Sequence, residues 1–392
     1  MGMKKGRYAM SSDENLLREA RELLEDLIRI RSTNPPGDED RILAFIETYL
    51  EQRGVESTRV PLEPGRSSLV ARIRGEADDS IVLCGHVDTV DADPAKWVMT
   101  DPFTPKSEGA RLWGLGAADM KSGVAVLIAA VCEVARRGIV PSHDIVLALT
   151  ADEERGYRGA ESIAKSGLID DATLLVIAEP TGGRVYIGQK GELWVECAFS
   201  GQAAHGSIPD AGVNAMLPAA ALCLDLDRQR RDFPEIEGRG RTSLNIGKIE
   251  AGTQVNIVPD QARVELDLRV VTTEERDRVL SLIEERGRIH AASYGADFSF
   301  DVFNDRAPIT SNADDPLVER FLNVHSSVTG RGKRIEFAPY STDAVAIVPQ
   351  RDLPVVIYGP GRIEQAHQPD EYLDMDSFEE ALNIVCEFIG AH

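Results

Sequence analysis

The sequence predicts an α/β fold, a mostly parallel sheet flanked by helices, with a smaller α+β domain inserted into it. In the first part of the chain, short apolar runs alternate with amphipathic helical stretches, which is typical of a parallel sheet with covered faces. Further on, the order becomes strand–helix–strand–strand–helix–strand, the split βαβ pattern of a ferredoxin-like unit. We therefore expect one domain formed by residues 1–185 and 307–392, and an inserted domain at residues 186–306.

Composition excludes two classes of partner. The chain has 392 residues, 43% of them hydrophobic, but no apolar run is long enough to span a bilayer. A formal net charge of −22 repels phosphate backbones, so we expect neither nucleic acid nor membrane as a partner. The segment Met1 to Glu14 is polar and lacks the apolar stretch of a secretory signal. Five scattered cysteines without a Cys-x-x-Cys pair indicate reduced thiols and a cytoplasmic location.

Hydrophobic periodicity predicts the elements of the first domain in order. Leucines and isoleucines at helical spacing predict helices at 15–31 and 38–53, separated by the helix-breaking Asn34-Pro35-Pro36-Gly37. Residues 69–73 alternate like an edge strand. The remaining predicted elements are apolar strands at 81–85, 145–149, 174–178 and 355–358, and helices at 123–136 and 376–389.

The inserted domain has shorter, half-exposed elements. Alternation of apolar and polar residues predicts strands, and longer stretches with helical spacing predict helices. The predicted strands are 193–199, 243–249, 261–270 and 298–303, and the predicted helices are 212–227 and 274–291.

Two side chains with metal-binding chemistry follow the first buried strand. His86 and Asp88 are two residues apart, so both can leave the same side of an extended chain. A neutral imidazole suits zinc, and a nearby carboxylate can fix which ring nitrogen carries the proton. The alternative is that both residues belong to a solvated surface loop.

Further acids and one imidazole follow the other elements. Asp119 lies in a glycine-rich segment before helix 123–136, where Asp is also a favoured helix cap. Glu153 and Glu154 follow strand 145–149, where an exposed acidic turn is the alternative. Glu179 follows strand 174–178, and His367 lies in the loop after strand 355–358.

These positions favour one shared site, because ligands of open parallel sheets bind beyond the carboxyl ends of the strands. Two imidazoles and three carboxylates are sufficient for two zinc-type ions that share one bridging carboxylate. The candidate ligands are His86, Asp119, Glu154, Glu179 and His367.

Five motifs, in order, resemble those of the M20 family of co-catalytic metallopeptidases and amide hydrolases, over roughly residues 15–390. The motifs are Gly85-His-Val-Asp-Thr-Val90, Gly116-Ala-Ala-Asp-Met-Lys121, Asp152-Glu-Glu154, Ala178-Glu-Pro180 and Ala366-His-Gln-Pro-Asp-Glu-Tyr372. The resemblance implies a zinc-peptidase-like catalytic domain with two Zn²⁺ ions, for which Co²⁺ or Mn²⁺ can substitute.

The resemblance also implies a role for each site residue. Asp119 resembles the bridging ligand, His86 and Glu179 the ligands of one ion, and Glu154 and His367 those of the other. Asp88 resembles the residue that orients His86, and Glu153 resembles the general acid/base. A glutamate at position 179 is similar to the deacetylase, desuccinylase and aminoacylase branch of the family.

The inserted domain resembles the family's lid, which in many members also forms a homodimer. His205, in Gly201-Gln-Ala-Ala-His-Gly206, resembles a residue that contacts the scissile carbonyl. Asn256 and Arg269 resemble residues that bind the substrate carboxylate, although both types also have common structural roles. Ser341 and Thr342 resemble a loop that lines the pocket.

The implied reaction is hydrolysis of the amide bond of a small N-acyl amino acid, through a water between the metals with Glu153 as general base. A carboxypeptidase or dipeptidase acting on short peptides is the enzymatic alternative. A non-catalytic binder of amino-acid derivatives is a further alternative, although none of the motif residues is missing.

Overall fold

The computed structural model of the chain describes residues 14–390, so the expectation for the polar segment before Glu14 lies outside the described residues. In the described part the helices are α1 (Glu14–Arg29), α2 (Glu39–Glu51), α3 (Lys121–Arg137), α4 (Arg158–Lys165), α5 (Met216–Gln229), α6 (Thr273–Tyr294), α7 (Pro316–Thr329), α8 (Ala344–Arg351) and α9 (Met375–Ile389). The strands are β1 (Ser57–Glu63), β2 (Arg66–Ile73), β3 (Ser80–His86), β4 (Lys106–Glu108), β5 (Arg111–Trp113), β6 (Asp144–Thr150), β7 (Ala172–Pro180), β8 (Tyr186–Gln189), β9 (Gly191–Ser200), β10 (Glu235–Ile236), β11 (Gly240–Arg241), β12 (Ser243–Ala251), β13 (Gln261–Val270), β14 (Asp297–Arg306), β15 (Ile309–Thr310), β16 (Glu336–Ala338), β17 (Val355–Gly359) and β18 (Tyr372–Asp374).

The chain divides into two compact units. Among the described residues, unit 1 contains the chain up to Ile187, Ser311–Ile335 and the chain from Thr342 onward, and unit 2 contains Gly188–Thr310 and Glu336–Ser341. The sequence placed residues 336–341 in the last segment of the first domain. The structure places them in unit 2, where the carbonyl oxygen of Ala338 accepts a hydrogen bond of 3.1 Å from the N–H of Lys190. Local sequence pattern does not show such a long-range contact.

The main sheet of unit 1 has the order β1-β2-β6-β3-β7-β17, and its four strands β3, β6, β7 and β17 run parallel. This confirms the predicted α/β class with a mostly parallel sheet. The prediction of an edge strand at residues 69–73 is wrong, because β2 lies between β1 and β6 and pairs antiparallel with both. The small sheet of β4, β5 and β18 was not predicted.

Helices cover both faces of the main sheet. Every residue of β3 and β6 is buried, and successive side chains of a strand point to opposite faces. Helix α3 packs against β3, β6 and β7, and α4 packs against β2 and β6. The sheet core therefore excludes water on both sides and leaves the strand ends and loops to carry polar side chains.

Unit 2 is a four-stranded antiparallel sheet of order β12-β13-β9-β14, with α5 and α6 packed on it. The chain order β9–α5–β12–β13–α6–β14 is the predicted split βαβ pattern, so this part of the fold class is also confirmed. Alternate residues of β13 are buried against the helices, as in a sheet with one covered face.

Two further predictions concern the thiol groups and the length of the helices. All five cysteines are free thiols, and all but Cys223 are buried. Within residues 14–390, every helix is too short or too polar to cross a membrane.

Candidate functional site

The candidate site of unit 1 lies at the carboxyl ends of its parallel strands. His86 is the last residue of β3 and is paired in register with Thr150, the last residue of β6. Glu179 lies near the end of the neighbouring strand β7. The loop after β6 carries Glu153 and Glu154. The strands therefore bring residues distant in the sequence to one edge of the sheet, as predicted from their positions.

Five of the predicted residues form two groups that share Asp119. His86 Nε2 lies 3.2 Å from Asp119 Oδ1 and 3.8 Å from Glu179 Oε1. His367 Nε2 lies 3.0 Å from Glu154 Oε2 and 3.5 Å from Asp119 Oδ2. In each group of three residues, the candidate ligand atoms lie within 4.8 Å of one another. The two oxygens of Asp119 thus face different groups, which is the geometry that a bridging carboxylate requires.

The chemistry of these side chains fits divalent cations. Glu154 Oε1 is buried and has no hydrogen-bond partner within the part of the chain that the structure describes. Burial raises the pKa of both Glu154 and Glu179, and the charge of Asp119 raises both further. Buried carboxylates of this kind are usually paired or bind a metal ion. Imidazole nitrogen and carboxylate oxygen are ligands of zinc, and carboxylates also suit manganese.

Mutual contacts also shift the pKa values of Asp119 and His367. Burial alone would raise the pKa of Asp119, but its hydrogen bond to His86 and the charges of the two histidines keep the pKa below the usual value. The hydrogen bond to Glu154 raises the pKa of His367 to about 9, against the opposing effect of burial. These shifts follow from placing imidazoles and carboxylates in direct contact.

Asp88 contacts His86 through its backbone carbonyl group, and its side chain contacts the loop after β6. His86 Nδ1 lies 2.9 Å from the carbonyl oxygen of Asp88, whereas the nearest carboxylate oxygen of Asp88 is 3.8 Å away. The buried carboxylate instead accepts the backbone N–H groups of Glu153 and Glu154, at 3.2 and 3.3 Å. Asp88 therefore holds His86 with its carbonyl group and the two glutamates with its side chain.

Glu153 is a partly buried carboxyl group beside the two candidate ligand groups. Burial raises its pKa well above the usual range, and the charges of Glu179, Glu154 and Asp343 raise it further. A carboxylate with a raised pKa is a stronger proton acceptor than an ordinary carboxylate, which suits a general base. The chemistry at this position is consistent with the sequence-based hypothesis for Glu153.

The loop that carries Asp119 is held by a residue that the sequence did not single out. The buried carboxylate of Glu371 accepts three backbone hydrogen bonds, from Gly116, Ala118 and Asp119, at 3.0, 2.7 and 2.9 Å. Helix α3 has Met120 at its N-cap and no side-chain cap, so the alternative of Asp119 as a capping residue is wrong. Glu371 belongs to the motif Ala366-His-Gln-Pro-Asp-Glu-Tyr372, and this motif is the sequence signal that could have identified it.

Two further buried acids near the site were also missed. Asp152 accepts hydrogen bonds from Asn34 and Arg66 at 3.0 and 2.8 Å. Asp343 accepts the hydroxyl of Thr150 at 2.5 Å, and burial raises the pKa of Asp343 to about 7. Asp152 directly precedes Glu153, and Asp343 directly follows Thr342. The contacts of both acids are with residues distant in the sequence, so local sequence pattern does not indicate them.

His205 and Asn256 belong to unit 2, in neighbouring loops. The N–H of Gly206 donates to the carbonyl of Asn256 at 2.8 Å, and both side chains are exposed. The N–H of Ser207 donates to His205 Nδ1 at 3.1 Å. In the neutral ring, Nδ1 is therefore an acceptor and the hydrogen is on Nε2.

Arg269 and Ser341 lie together in unit 2. The guanidinium of Arg269 lies 2.5 Å from Glu192, 3.1 Å from Asp267 and 3.5 Å from the hydroxyl of Ser341. Arg269 is thus held by two acids of its own unit. Thr342 belongs to unit 1, where it is buried and accepts the N–H of Ala344.

Comparison with known proteins identifies relatives over nearly the whole chain. The model of peptidase family M20/M25/M40 matches residues 82–391. A probable succinyl-diaminopimelate desuccinylase of Staphylococcus aureus is 26% identical over 394 residues, which cover 93% of this chain and 95% of that protein. A peptidase M20 domain-containing protein of Schizosaccharomyces pombe is 28% identical and covers 92% of this chain and 82% of its own length.

Solved structures share the fold at lower identity. A tripeptidase from Staphylococcus aureus superposes with a TM-score of 0.81 at 21% identity, over 95% of this chain and 97% of that one. A dinuclear metal-binding peptidase of Bacillus subtilis has a TM-score of 0.73 at 17% identity, over 97% and 100% of the two chains.

Proposed function

Because the chain belongs to peptidase family M20/M25/M40, we propose that it is a metal-dependent hydrolase that cleaves the amide bond of N-acyl amino acids, as a deacetylase or desuccinylase does. The observation that carries the proposal is the pair of ligand groups that share Asp119. The desuccinylase name of relatives that cover 93% of the chain supports an N-acyl substrate.

Hydrolysis of short peptides is the second candidate. Structures with a similar fold include a tripeptidase and a human carnosine dipeptidase, which cover 95% and 96% of this chain. Both candidates require the same machinery in unit 1. They differ in the groups that must be recognised on either side of the amide bond.

The residues assigned to the metals are the two groups described above, with two Zn²⁺ ions as the first choice and Co²⁺ or Mn²⁺ as alternatives. His86, Asp119 and Glu179 would hold one ion, and Asp119, Glu154 and His367 the other. When bound, such ions act as Lewis acids toward a carbonyl group and lower the pKa of water.

Glu153 is the proposed general base and, after proton transfer, the general acid for the leaving amine. Its raised pKa suits a group that holds a proton between these two steps. Asp88 fixes the backbone of Glu153 through the 3.2 Å hydrogen bond and so limits the positions of the carboxyl group.

His205 is proposed to stabilise the oxyanion of the substrate. In its neutral form, Ser207 occupies Nδ1, so Nε2–H is the available donor. For the substrate carboxylate we propose Asn256 and Arg269, with Glu192 and Asp267 fixing the guanidinium of Arg269. Ser341 and Thr342 are the proposed pocket-lining residues.

We also propose a homodimer formed through unit 2. Strand β12 is an edge of the four-stranded sheet, and unpaired edges are sites of strand addition. Nearby apolar side chains are exposed, including Leu217 and Leu224 of α5, Ile249 of β12 and Val255. Light scattering should give twice the monomer mass for the wild type, and Leu224→Arg should shift the mass toward the monomer.

Five free thiols support the proposed cytoplasmic location.

A substrate panel tests the proposed function directly. Rates on N-acetylornithine, N-succinyl-diaminopimelate, N-acetylmethionine and dipeptides, with Zn²⁺ or Co²⁺, should show metal-dependent turnover and rank the acyl against the peptide substrates. Glu153→Gln should retain its metal and lose about 10²–10⁴-fold in kcat. The exposed Glu76 provides the matched control Glu76→Gln, which should retain wild-type rates. Absence of metal-dependent turnover on the whole panel would contradict the proposal.

A further inference from the structure

Asn34, in the loop after α1, is buried against the segment that follows β3. Only 4% of its surface is exposed. Its N–H donates to the carbonyl of Thr89 at 2.8 Å, and the N–H of Thr89 donates to the carbonyl of Ser32 at 3.0 Å. The backbone of this loop is therefore fixed to the chain immediately after His86 and Asp88.

The side-chain amide of Asn34 joins two buried acids that come from different loops. Nδ2 donates to Asp88 Oδ2 and to Asp152 Oδ1, both at 3.0 Å. An amide nitrogen carries two hydrogens, so each carboxylate receives one of them. This amide bridges the segment after β3 and the loop after β6, in addition to the direct hydrogen bonds from Glu153 and Glu154 to Asp88.

Both acids act on the loop that carries Glu153 and Glu154. Asp88 accepts the backbone N–H groups of these two glutamates, and Asp152 directly precedes them. Asp152 has a φ of +66°, in the left-handed region that few residues other than glycine adopt and that Asp tolerates better than most. The amide of Asn34 therefore influences the backbone of Glu153 and Glu154 in two ways, through Asp88 and through Asp152.

We propose that Asn34 is a positioning residue, whose two amide hydrogens set the loop of Glu153 and Glu154 relative to His86. The inference rests on the proposed function. Residues that orient metal ligands without contacting the metal typically change metal affinity or activity by about 10–100-fold when altered. Without the amide, two buried carboxylates lose their common donor, and only the hydrogen bonds to Asp88 remain to hold the loop to the chain after β3.

Two substitutions separate hydrogen bonding from space filling. Asn34→Ala removes both donors and leaves a small cavity. Asn34→Leu keeps a similar volume but carries no hydrogen-bond donor. If Asn34 acts as a donor, the Leu variant is at least as impaired as the Ala variant. If Asn34 only fills space, the Leu variant is the milder of the two.

The matched control is Ser80→Ala, at the other end of β3. Ser80 is also fully buried, and its hydroxyl donates to a carboxylate, Asp171, at 3.0 Å. The substitution removes a comparable hydrogen bond at the start of β3, at the opposite end of that strand from His86. It should lower thermal stability without changing metal affinity.

The experiment is a competitive zinc titration against a chelator, combined with kcat and KM on the best substrate of the panel. In both Asn34 variants we expect one of two zinc equivalents to weaken by about 10–100-fold, kcat to fall by a similar factor, and KM to change little. Because the Leu variant preserves volume, it carries the test if the Ala variant does not fold.

The outcomes distinguish the two proposals. Wild-type protein that binds two zinc equivalents and turns over substrate, together with Asn34 variants of unchanged affinity and kcat, overturns the role of Asn34 alone. A Leu variant close to wild type while the Ala variant is impaired also overturns it. Wild-type protein that binds no zinc refutes the proposed function, and the role of Asn34 with it.

Discussion

Glu371 allows a quantitative prediction, because its buried carboxylate accepts three backbone N–H groups of the loop that carries Asp119. Burial raises the pKa of Glu371 to about 8, so the carboxyl group is charged above that pH, where each hydrogen bond to it contributes about 1.5–3 kcal/mol. In Glu371→Gln, the amide oxygen can still accept from Ala118 and Asp119. The bond from Gly116 is lost, because the side-chain NH₂ group would face the backbone N–H of Gly116 and both groups are donors. The expected loss is about 1.5–3 kcal/mol.

Glu371→Ala removes all three acceptors and leaves three buried donors. Each unsatisfied donor costs about 1–3 kcal/mol, and water entering the cavity moves the sum toward the low end, about 3–5 kcal/mol. The loss should be local, because the donors belong to residues 116–119. The loop should open more often, and Asp119 should hold its position less well.

Hydrogen exchange measures this opening directly. Each 1.4 kcal/mol of lost protection is about a tenfold faster exchange. Peptides covering residues 114–120 should exchange about 10–100-fold faster in Glu371→Gln, and more than about 100-fold faster in Glu371→Ala. Zinc affinity should fall in the same order. The control is Glu380→Gln on α9, whose carboxylate pairs with Arg331. Unchanged exchange of the loop in both Glu371 variants would refute the reasoning.

Three further predictions concern stability. A Cβ on Gly123 would lie 2.1 Å from the carbonyl oxygen of Ala178, so Gly123→Ala should sharply lower soluble yield and Tm. The hydrogen bond from Arg72 lowers the pKa of Asp171 to about 2 from 3.8. The stabilisation by Asp171 is therefore fully present above pH 3.8 and lost as pH falls toward 2, so wild type and Asp171→Asn should converge in Tm over that window. Asp225→Ala should destabilise unit 2 by about 2 kcal/mol in urea unfolding, because it removes the buried acceptor shared by Arg286 and His290 of α6.

Each of these predictions has a matched control. Gly332→Ala meets no atom within 4 Å and should behave like wild type. Asp78→Asn changes an exposed acid near β3 and should leave the acid response unchanged. Asp227→Ala, on the exposed side of α5, should cost much less than Asp225→Ala. A normal Tm for Gly123→Ala, a constant Tm difference for Asp171→Asn, or equal losses for the two α5 variants would contradict the reasoning.

The strands and the positions of the candidate ligands could be predicted because both follow from local pattern. A buried parallel strand is a short apolar run, and its end is visible as the first polar residue, as at His86 at the end of β3. The lengths of the predicted helices were within a few residues of those observed, since apolar spacing fixes the buried face, but α4, α7 and α8 were not predicted. The resemblance to the family motifs then implied a role for each of these polar residues.

The contacts that hold the site could not be predicted in this way. Asn34 stands in a segment with an obvious turn signal, and Glu371 precedes a short strand, so each has a sufficient local explanation. Their partners lie 54 to 255 residues away in the sequence. For the same reason, the ion pairs of Arg269 and the pairing of residues 336–341 within unit 2 became visible only in the structure.

The proposed function requires that unit 1 bind two divalent cations bridged by Asp119. Anomalous diffraction at the zinc edge, from crystals grown with zinc, would locate these ions. We expect two strong peaks, one beside His86 and Glu179 and one beside Glu154 and His367, with Asp119 between them. No peak at these residues, or a single peak that does not contact Asp119, would show that the two groups do not form a dinuclear site.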